Sequence, residues 1–374
     1  MTPEYYIGLM SGTSLDGIDT ALVEFSSHKQ FCVLETLFTP YPTDMRNKLF
    51  QLFTPGNAEI DLMGQLSRQL GQLFGQSVNN ILELSPLSAK DISAVGSHGQ
   101  TIRHRPELLH PFTLQIGDPS TITQTTGITT IADFRSKDIA CGGQGAPLAP
   151  GFHRSAFHSP NENRVIVNIG GIANITWVPL SPEDITLGFD TGPGNGLMDT
   201  WCQKHIGAEF DRNGEWARSG SVIKELLDTL TSFDYFQTPP PKSTGKELFN
   251  EEWLNPFISS YPLAKPADIQ ATLLELTAIS ISRSIKEHCT NADNIFVCGG
   301  GALNGRLMER IAKHISLPTY TTAKLGVDPL WVEAIAFAWL ARQTKHNLAG
   351  NLPSSTGARE AVILGGIYPG SEGI

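Results

Sequence analysis

The chain has 374 residues, which at ~100–200 residues per domain is enough for two units that each bury a core. Hydrophobic residues make up 40% and charged residues 17%, and 27 Lys plus Arg against 37 Asp plus Glu leave a net charge of −10, an acidic balance without a basic run that argues against nucleic-acid or anionic-membrane partners. No apolar run approaches the ~20 residues of a membrane span. Met1–Glu4 carries no basic start of a signal peptide, and the five cysteines are odd in number without a CxxC pair, so we expect reduced thiols in a cytoplasmic protein with no structural zinc.

In chain order, Tyr5–Met10 reads as a buried strand, Ser11–Asp19 as a turn rich in Ser, Gly and Asp, and Thr20–Phe25 and Phe31–Phe38 as two further strands. Asn57 is expected to cap a long helix, with Glu59 and Asp61 at its positive end and Met63, Leu66, Leu70, Leu73, Phe74, Val78, Ile81 and Leu82 at helical spacing. Ile92–Gly96, Thr113–Ile116 and Ile128–Ala132 are short strands, and Asp118 opens a short helix. The Gly- and Pro-dense stretch Asp138–Pro150 sets the expected boundary between residues 1–140 and 141–374, with the last helix free to pack back on the first part.

A second strand–turn–strand follows at Val165–Trp177. Helices are expected at Gly194–Ile206, Ser221–Leu230 and Asp268–His288, and a strand at Asn294–Cys298. Next come the turn Gly299–Gly301 and a helix with Leu303, Leu307, Ile311 and Ile315 on one stripe. Asp328 and Pro329 suit the N-cap and first position of a last helix, and Phe233–Pro262 reads as an irregular insertion. Both halves therefore open with a hairpin whose turn is small and polar, the pattern of two similar α/β lobes around a cleft.

Five segments and one group of basic residues carry candidate chemistry. In Gly12-Thr13-Ser14-Leu15-Asp16-Gly17-Ile18-Asp19, backbone N–H groups and hydroxyls can face a phosphate, and two carboxylates can hold Mg²⁺ through water; a decorated hairpin turn is the plainer reading. Asn168-Ile169-Gly170-Gly171 is the same kind of turn in the second half. Asp190 precedes Gly192-Pro193-Gly194-Asn195-Gly196, where it is either a catalytic base or a helix cap. Gly299-Gly300-Gly301 lies between a strand and a helix, where a nucleoside can rest against the backbone. Its spacing does not fit G-x-G-x-x-G, and no Walker A loop occurs.

Glu333 is the only charge in Pro329–Leu340 and faces either water or a cleft. Arg103, His104 and Arg105, which follow Ser97-His98-Gly99-Gln100, and Arg135 and Lys137 are the best local charges for an anionic ligand; a solvated loop is the alternative.

Ile7–Asp19 closely resembles the opening of anhydro-N-acetylmuramic acid kinases. Ser97–Thr101, Asp133–Arg135, Gly142–Leu148, Asn168–Asn174, Phe189–Asn195, Pro241–Gly245, Cys298–Gly301 and Val332–Ala334 are similar to that family in the same order. The resemblance implies a two-lobed actin-like ATPase fold of duplicated ribonuclease-H-like lobes, and a cytoplasmic homodimer that consumes ATP, Mg²⁺ and water. The implied reaction turns 1,6-anhydro-N-acetylmuramic acid into N-acetylmuramic acid 6-phosphate in cell-wall recycling.

It further implies that Asp190 is the base and Glu333 helps position the water. Gly12–Asp19, Asn168, Gly170, Gly171 and Gly299–Gly301 would hold ATP, and Asp16, with Asp19 as the alternate, its metal. His98, Arg135, Gly194 and Asn195 would meet the sugar. Three rivals remain at this point: a non-catalytic ATP-dependent member of the same superfamily, an NAD-dependent dehydrogenase using the Gly299 turn, and a kinase for another sugar.

Overall fold

The computed structural model describes residues 2–26, 31–53, 56 and 59–371. The chain divides into two compact units, one made of Met1–Ala156 and Trp331–Ile374, the other of Phe157–Leu330. The division thus falls later than 140/141. Residues 141–156 stay with the first unit because the buried Asp138 carboxylate accepts the Gly145 N–H at 2.8 Å and also accepts from Asn351 and Thr356, each at 2.7 Å.

The first unit begins with β1 (Glu4–Ser11), β2 (Gly17–Phe25), β3 (Phe31–Pro40), α1 (Thr43–Gln51), α2 (Glu59–Glu83), β4 (Ile92–Arg105), β5 (Phe112–Ile116), α3 (Pro119–Thr126), β6 (Thr130–Ala132), α4 (Ser136–Ala140) and α5 (Ala149–Phe157). The second holds β7 (Arg164–Ile169), β8 (Ile172–Val178), β9 (Leu187–Pro193), α6 (Gly196–Ile206), α7 (Glu215–Ser219), α8 (Lys224–Thr231), α9 (Glu251–Ile258), α10 (Pro266–His288), β10 (Asn294–Cys298), α11 (Gly305–Ile315) and β11 (Thr319–Thr321). The chain then returns to the first unit as α12 (Val332–Lys345), α13 (Pro353–Thr356) and β12 (Gly366–Tyr368).

Both sheets are built in one way. In the first unit β3, β2 and β1 form an antiparallel meander, and β1 continues parallel to β4 and β4 to β6. In the second, β9, β8 and β7 form the meander, and β7 runs parallel to β10 and β10 to β11. This repeated order is the duplicated ribonuclease-H-like arrangement, so the fold is α/β of the actin-like ATPase class.

Several expectations need correction. Asn57, the expected cap of α2, lies outside the described residues. Leu303 belongs to a short 3-10 turn and is exposed; the α11 stripe is Leu307, Ile311 and Ile315. Asp328 accepts from the Leu330 N–H at 2.9 Å and closes a turn, and α12 starts only at Val332. Helix α5 arises inside the Pro/Gly-dense stretch, because Pro150 occupies its second position, where no intrahelical donor is missed. The strand expected to end at Gly96 continues as β4 to Arg105, and residues 100–105, for which a solvated loop is the alternative, pair with β5.

Alternation along β1 separates two faces. Ile7 and Leu9 join Leu66, Leu70 and Phe74 of α2 in one core. On the opposite face α12 lies so close that a Cβ on Gly8 would strike the Ala334 carbonyl, and one on Gly96 of β4 would strike that of Phe337. The far end of α12 is tied down by Arg342, only 2% exposed, whose Nε donates to Glu4 at 3.1 Å. The second unit's core gathers Val165, Val167 and Ile169 of β7 against Leu273, Ile281 and Ile285 of α10 and Leu307 and Ile311 of α11.

Gly8→Ala should force α12 outward and cost about 1–3 kcal/mol. A lowered urea midpoint checks this, and an unchanged midpoint contradicts the packing described.

Candidate active site

The hairpin β1–β2 carries the first turn. Ser14 Oγ donates to Asp16 Oδ1 at 2.7 Å, the Gly17 N–H to the same oxygen at 3.1 Å, and the Leu15 N–H to the Gly12 carbonyl at 3.4 Å. Leu15 takes a left-handed φ of 57°, uncommon for a residue with a Cβ, and its side chain and that of Ile18 are wholly buried in the α2 core. Of the expected ATP-binding stretch, Leu15 and Ile18 therefore offer only backbone. Asp16 is exposed and Asp19 half-buried.

Burial, then the neighbouring Asp16, then Glu333 push the Asp19 carboxyl up to about 7. Glu333, in the first turn of α12, thus acts on the same turn as the two aspartates. Among the described residues no group of three or more His, Cys, Asp or Glu side chains is placed to hold a metal ion. The Asp16–Asp19 pair fits a hard cation such as Mg²⁺ that brings water and phosphate oxygens as its other ligands, and such a cation would relieve the crowding of charge at Asp19.

Beside the turn, Ser11 Oγ contacts the Gly17 carbonyl at 2.9 Å and Gln100 Oε1 at 2.6 Å, and accepts from the Tyr41 hydroxyl at 2.7 Å. Gln100 Nε2 reaches the Gly12 carbonyl at 3.1 Å. His98 is 5% exposed. Its Nδ1 contacts the Ser11 carbonyl at 3.2 Å, and its Nε2 contacts Arg135 Nη2 at 2.9 Å. A carbonyl only accepts and a guanidinium only donates, so the proton sits on Nδ1. Burial, then the Arg135 charge, hold the His98 imidazole down at about 3, hence neutral.

Both His98 nitrogens are thus engaged, and it orients Arg135. Arg135 Nη1 donates to the Gly145 carbonyl at 2.7 Å, and Asp138 fixes that loop. Arg103 donates to the Leu52 carbonyl and pairs with Glu59 at 3.3 Å. His104 is pushed down to about 4 by burial, then by Arg135 and Arg105.

In the second unit two glycine-bearing segments close on one turn. A Cβ on Gly194 would strike the Gly170 carbonyl, and Gly299, at φ 77°, lies against Asn168 Oδ1 and the Ile169 carbonyl. Asn195 donates from its side chain to Ile169 at 3.2 Å and from its backbone to Gly170 at 2.8 Å. Gly194 and Asn195, expected at the sugar, therefore brace the Asn168–Gly171 turn, and the Gly170 N–H, expected on a phosphate, is given to the Ile172 carbonyl at 3.1 Å. Asp190 lies within β9, not at a helix start, so the capping alternative does not apply; its Oδ2 accepts the Thr244 N–H at 2.9 Å.

Ser11, Tyr41, Gln100, Asp138, Lys242 and Thr244 were missed by residue-by-residue reading, since nothing in their neighbours marks them. The strings Ile7–Asp19, Ser97–Thr101 and Pro241–Gly245 covered part of the set, Ser11, Gln100, Lys242 and Thr244, without giving those residues a role.

Two α/β units of one topology, each opening on a hairpin with a small polar turn, have the architecture of the actin-like ATPase class. Residues 4–370 match the family model described as anhydro-N-acetylmuramic acid kinase. The proteins of that name from Coxiella burnetii and Shewanella pealeana are each 50% identical to the chain, over 374 residues (100% of this chain and 99% of the relative) and 372 residues (99% and 100%) respectively. The chain belongs to the anhydro-N-acetylmuramic acid kinase family, and it is an enzyme, a kinase. A component of (R)-2-hydroxyglutaryl-CoA dehydratase from Acidaminococcus fermentans is similar at TM-score 0.47 and 11% identity, covering 90% of this chain and 96% of that one.

Asp19→Asn gives a pH-dependent prediction. The folded protein holds a proton on Asp19 between the usual carboxylate range and about 7, where the unfolded chain has lost it, so Asp19 costs stability as pH rises through that window. The variant should match the parent near pH 4 and exceed it by on the order of 1–2 kcal/mol by pH 8. Denaturation midpoints that keep one separation at both pH values would refute the shift.

Proposed function

We propose that the chain converts 1,6-anhydro-N-acetylmuramic acid, ATP and water to N-acetylmuramic acid 6-phosphate and ADP, as a step of cell-wall amino-sugar recycling. The whole-length family match, together with a carboxylate held in direction by a backbone N–H at Asp190, supports this reading most strongly.

Water adds to the anomeric carbon and passes a proton to Asp190. The bond from that carbon to the bridging oxygen breaks, and the freed O6 takes the γ-phosphoryl group as ADP leaves. Glu333 orients the water. The Gly12–Asp19 and Asn168–Gly171 turns take phosphate oxygens, and Gly299–Gly301 takes the adenosine. Asp16 or Asp19 would hold Mg²⁺, which when bound would neutralise phosphate charge. Arg135, oriented by His98 and Gly145, meets the sugar's lactyl carboxylate. A dimer of two such chains in the cytoplasm completes the proposal. No described helix is long and apolar enough to cross a membrane.

Turnover in ¹⁸O-water should place label on the anomeric carbon of the 6-phosphate, and label elsewhere or none would reject hydrolytic ring opening. Asp190→Asn should lose about 10²–10⁴ in kcat while ATP still binds. Arg135→Ala should raise sugar KM far more than ATP KM; equal shifts would remove Arg135 from the carboxylate.

A further inference from the structure

Asp190 stands on β9, but what holds it comes from residues 233–262, the segment that reads as an irregular insertion. The Thr244 N–H donates to its Oδ2 at 2.9 Å, its own N–H donates to the Lys242 carbonyl at 3.1 Å, and the Tyr235 hydroxyl donates to its carbonyl at 2.8 Å. Phe236 packs its ring beside Gly192. Lys242 is only 7% exposed. Its ammonium donates to the Tyr235 carbonyl at 3.0 Å and lies 4.6 Å from the Tyr235 ring centroid and 5.9 Å from that of Phe189.

Burying an ammonium costs several kcal/mol, and a bond to one carbonyl does not require a full charge. Glu287 and Asp190 lie within electrostatic reach of that charge. Burial lowers the Lys242 pKa, while Glu287 and Asp190 oppose that and Arg283 adds to it. Tyr235 and Glu247 of the insertion and Arg283, Glu287 and His288 of α10 are among the titratable and charged groups around this pair. Burial, then Asp190, raise the Tyr235 pKa, so its hydroxyl remains a donor.

We propose that Lys242 and Tyr235 are positioning residues for Asp190: the segment fixes the direction of the carboxylate, and the buried ammonium keeps it ionised and ready to take a proton. This rests on the reading of Asp190 as the base. Removing a cation beside a carboxylate raises the carboxylate's pKa, so Lys242→Met should shift the acid limb of kcat/KM for the sugar upward by about one pH unit and recover turnover as pH rises. Tyr235→Phe should lower kcat about three- to tenfold with both KM values within twofold, the effect of one lost hydrogen bond.

The full-length enzyme is assayed from pH 5 to 9 with anhydro-N-acetylmuramic acid and ATP, beside Asp190→Asn. If Asp190→Asn turns over normally, the base reading fails and the inference with it. If that variant is inactive but Lys242→Met loses turnover equally at every pH, the base stands and the role of Lys242 is overturned. Should Lys242→Met not fold, Tyr235→Phe decides: kcat within twofold of the parent overturns the inference, and the stated loss in kcat alone supports it.

Discussion

The first unit depends on one close approach, the backbone of α12 lying flush on β1 and β4 where Gly8 and Gly96 leave no Cβ in the way. That contact sets the height of the helix over the sheet. Its first turn carries Glu333, so the same contact sets how near this carboxylate comes to Asp19 on the hairpin. The Arg342–Glu4 pair holds the other end of the helix, and removing Glu4 would take a carboxylate from a buried guanidinium. Packing and site chemistry are here one constraint: burial raises the Asp19 carboxyl most, then Asp16, and a wider spacing would relax the smaller part that Glu333 adds.

The second unit solves a related problem with backbone rather than a helix. The Asn168–Gly171 turn has little side-chain bulk of its own, and two later segments pack onto its carbonyls: Gly194–Gly196 and Gly299–Gly301. Most of its polar groups are therefore spoken for within the unit. Such a turn is stiff before any ligand arrives, and stiffness is what a phosphate or nucleoside site needs if binding is not to be spent on ordering the loop.

The Lys242 segment extends that logic to a side chain. Bonds to the N–H, carbonyl and carboxylate of one residue leave Asp190 with little freedom. In the first unit the relay from Ser11 through His98 and Arg135 to Gly145 and Asp138 does the same for a guanidinium, and the neutral His98 tautomer follows from its two fixed partners. In each unit, groups close to the candidate chemistry are held by residues with no chemical part in it.

The sequence by itself determined the repeated hairpin-first units, most strands and long helices, the two small polar turns, and Asp190 and Glu333 as candidates. Periodicity and turn composition are local properties, and ordered motif strings carry a family across the whole chain. Long-range packing alone shows that residues 141–156 belong with the first unit, that the last helix, left free to pack back, does so, that Glu333 acts on Asp19, that His98 serves Arg135, and that Asn195 braces a turn. It also turned an irregular insertion into the support of Asp190. These facts depend on residues tens to hundreds of positions apart meeting across a core, and on burial that changes what a carboxyl, an imidazole or an ammonium can do, neither of which neighbouring residues encode.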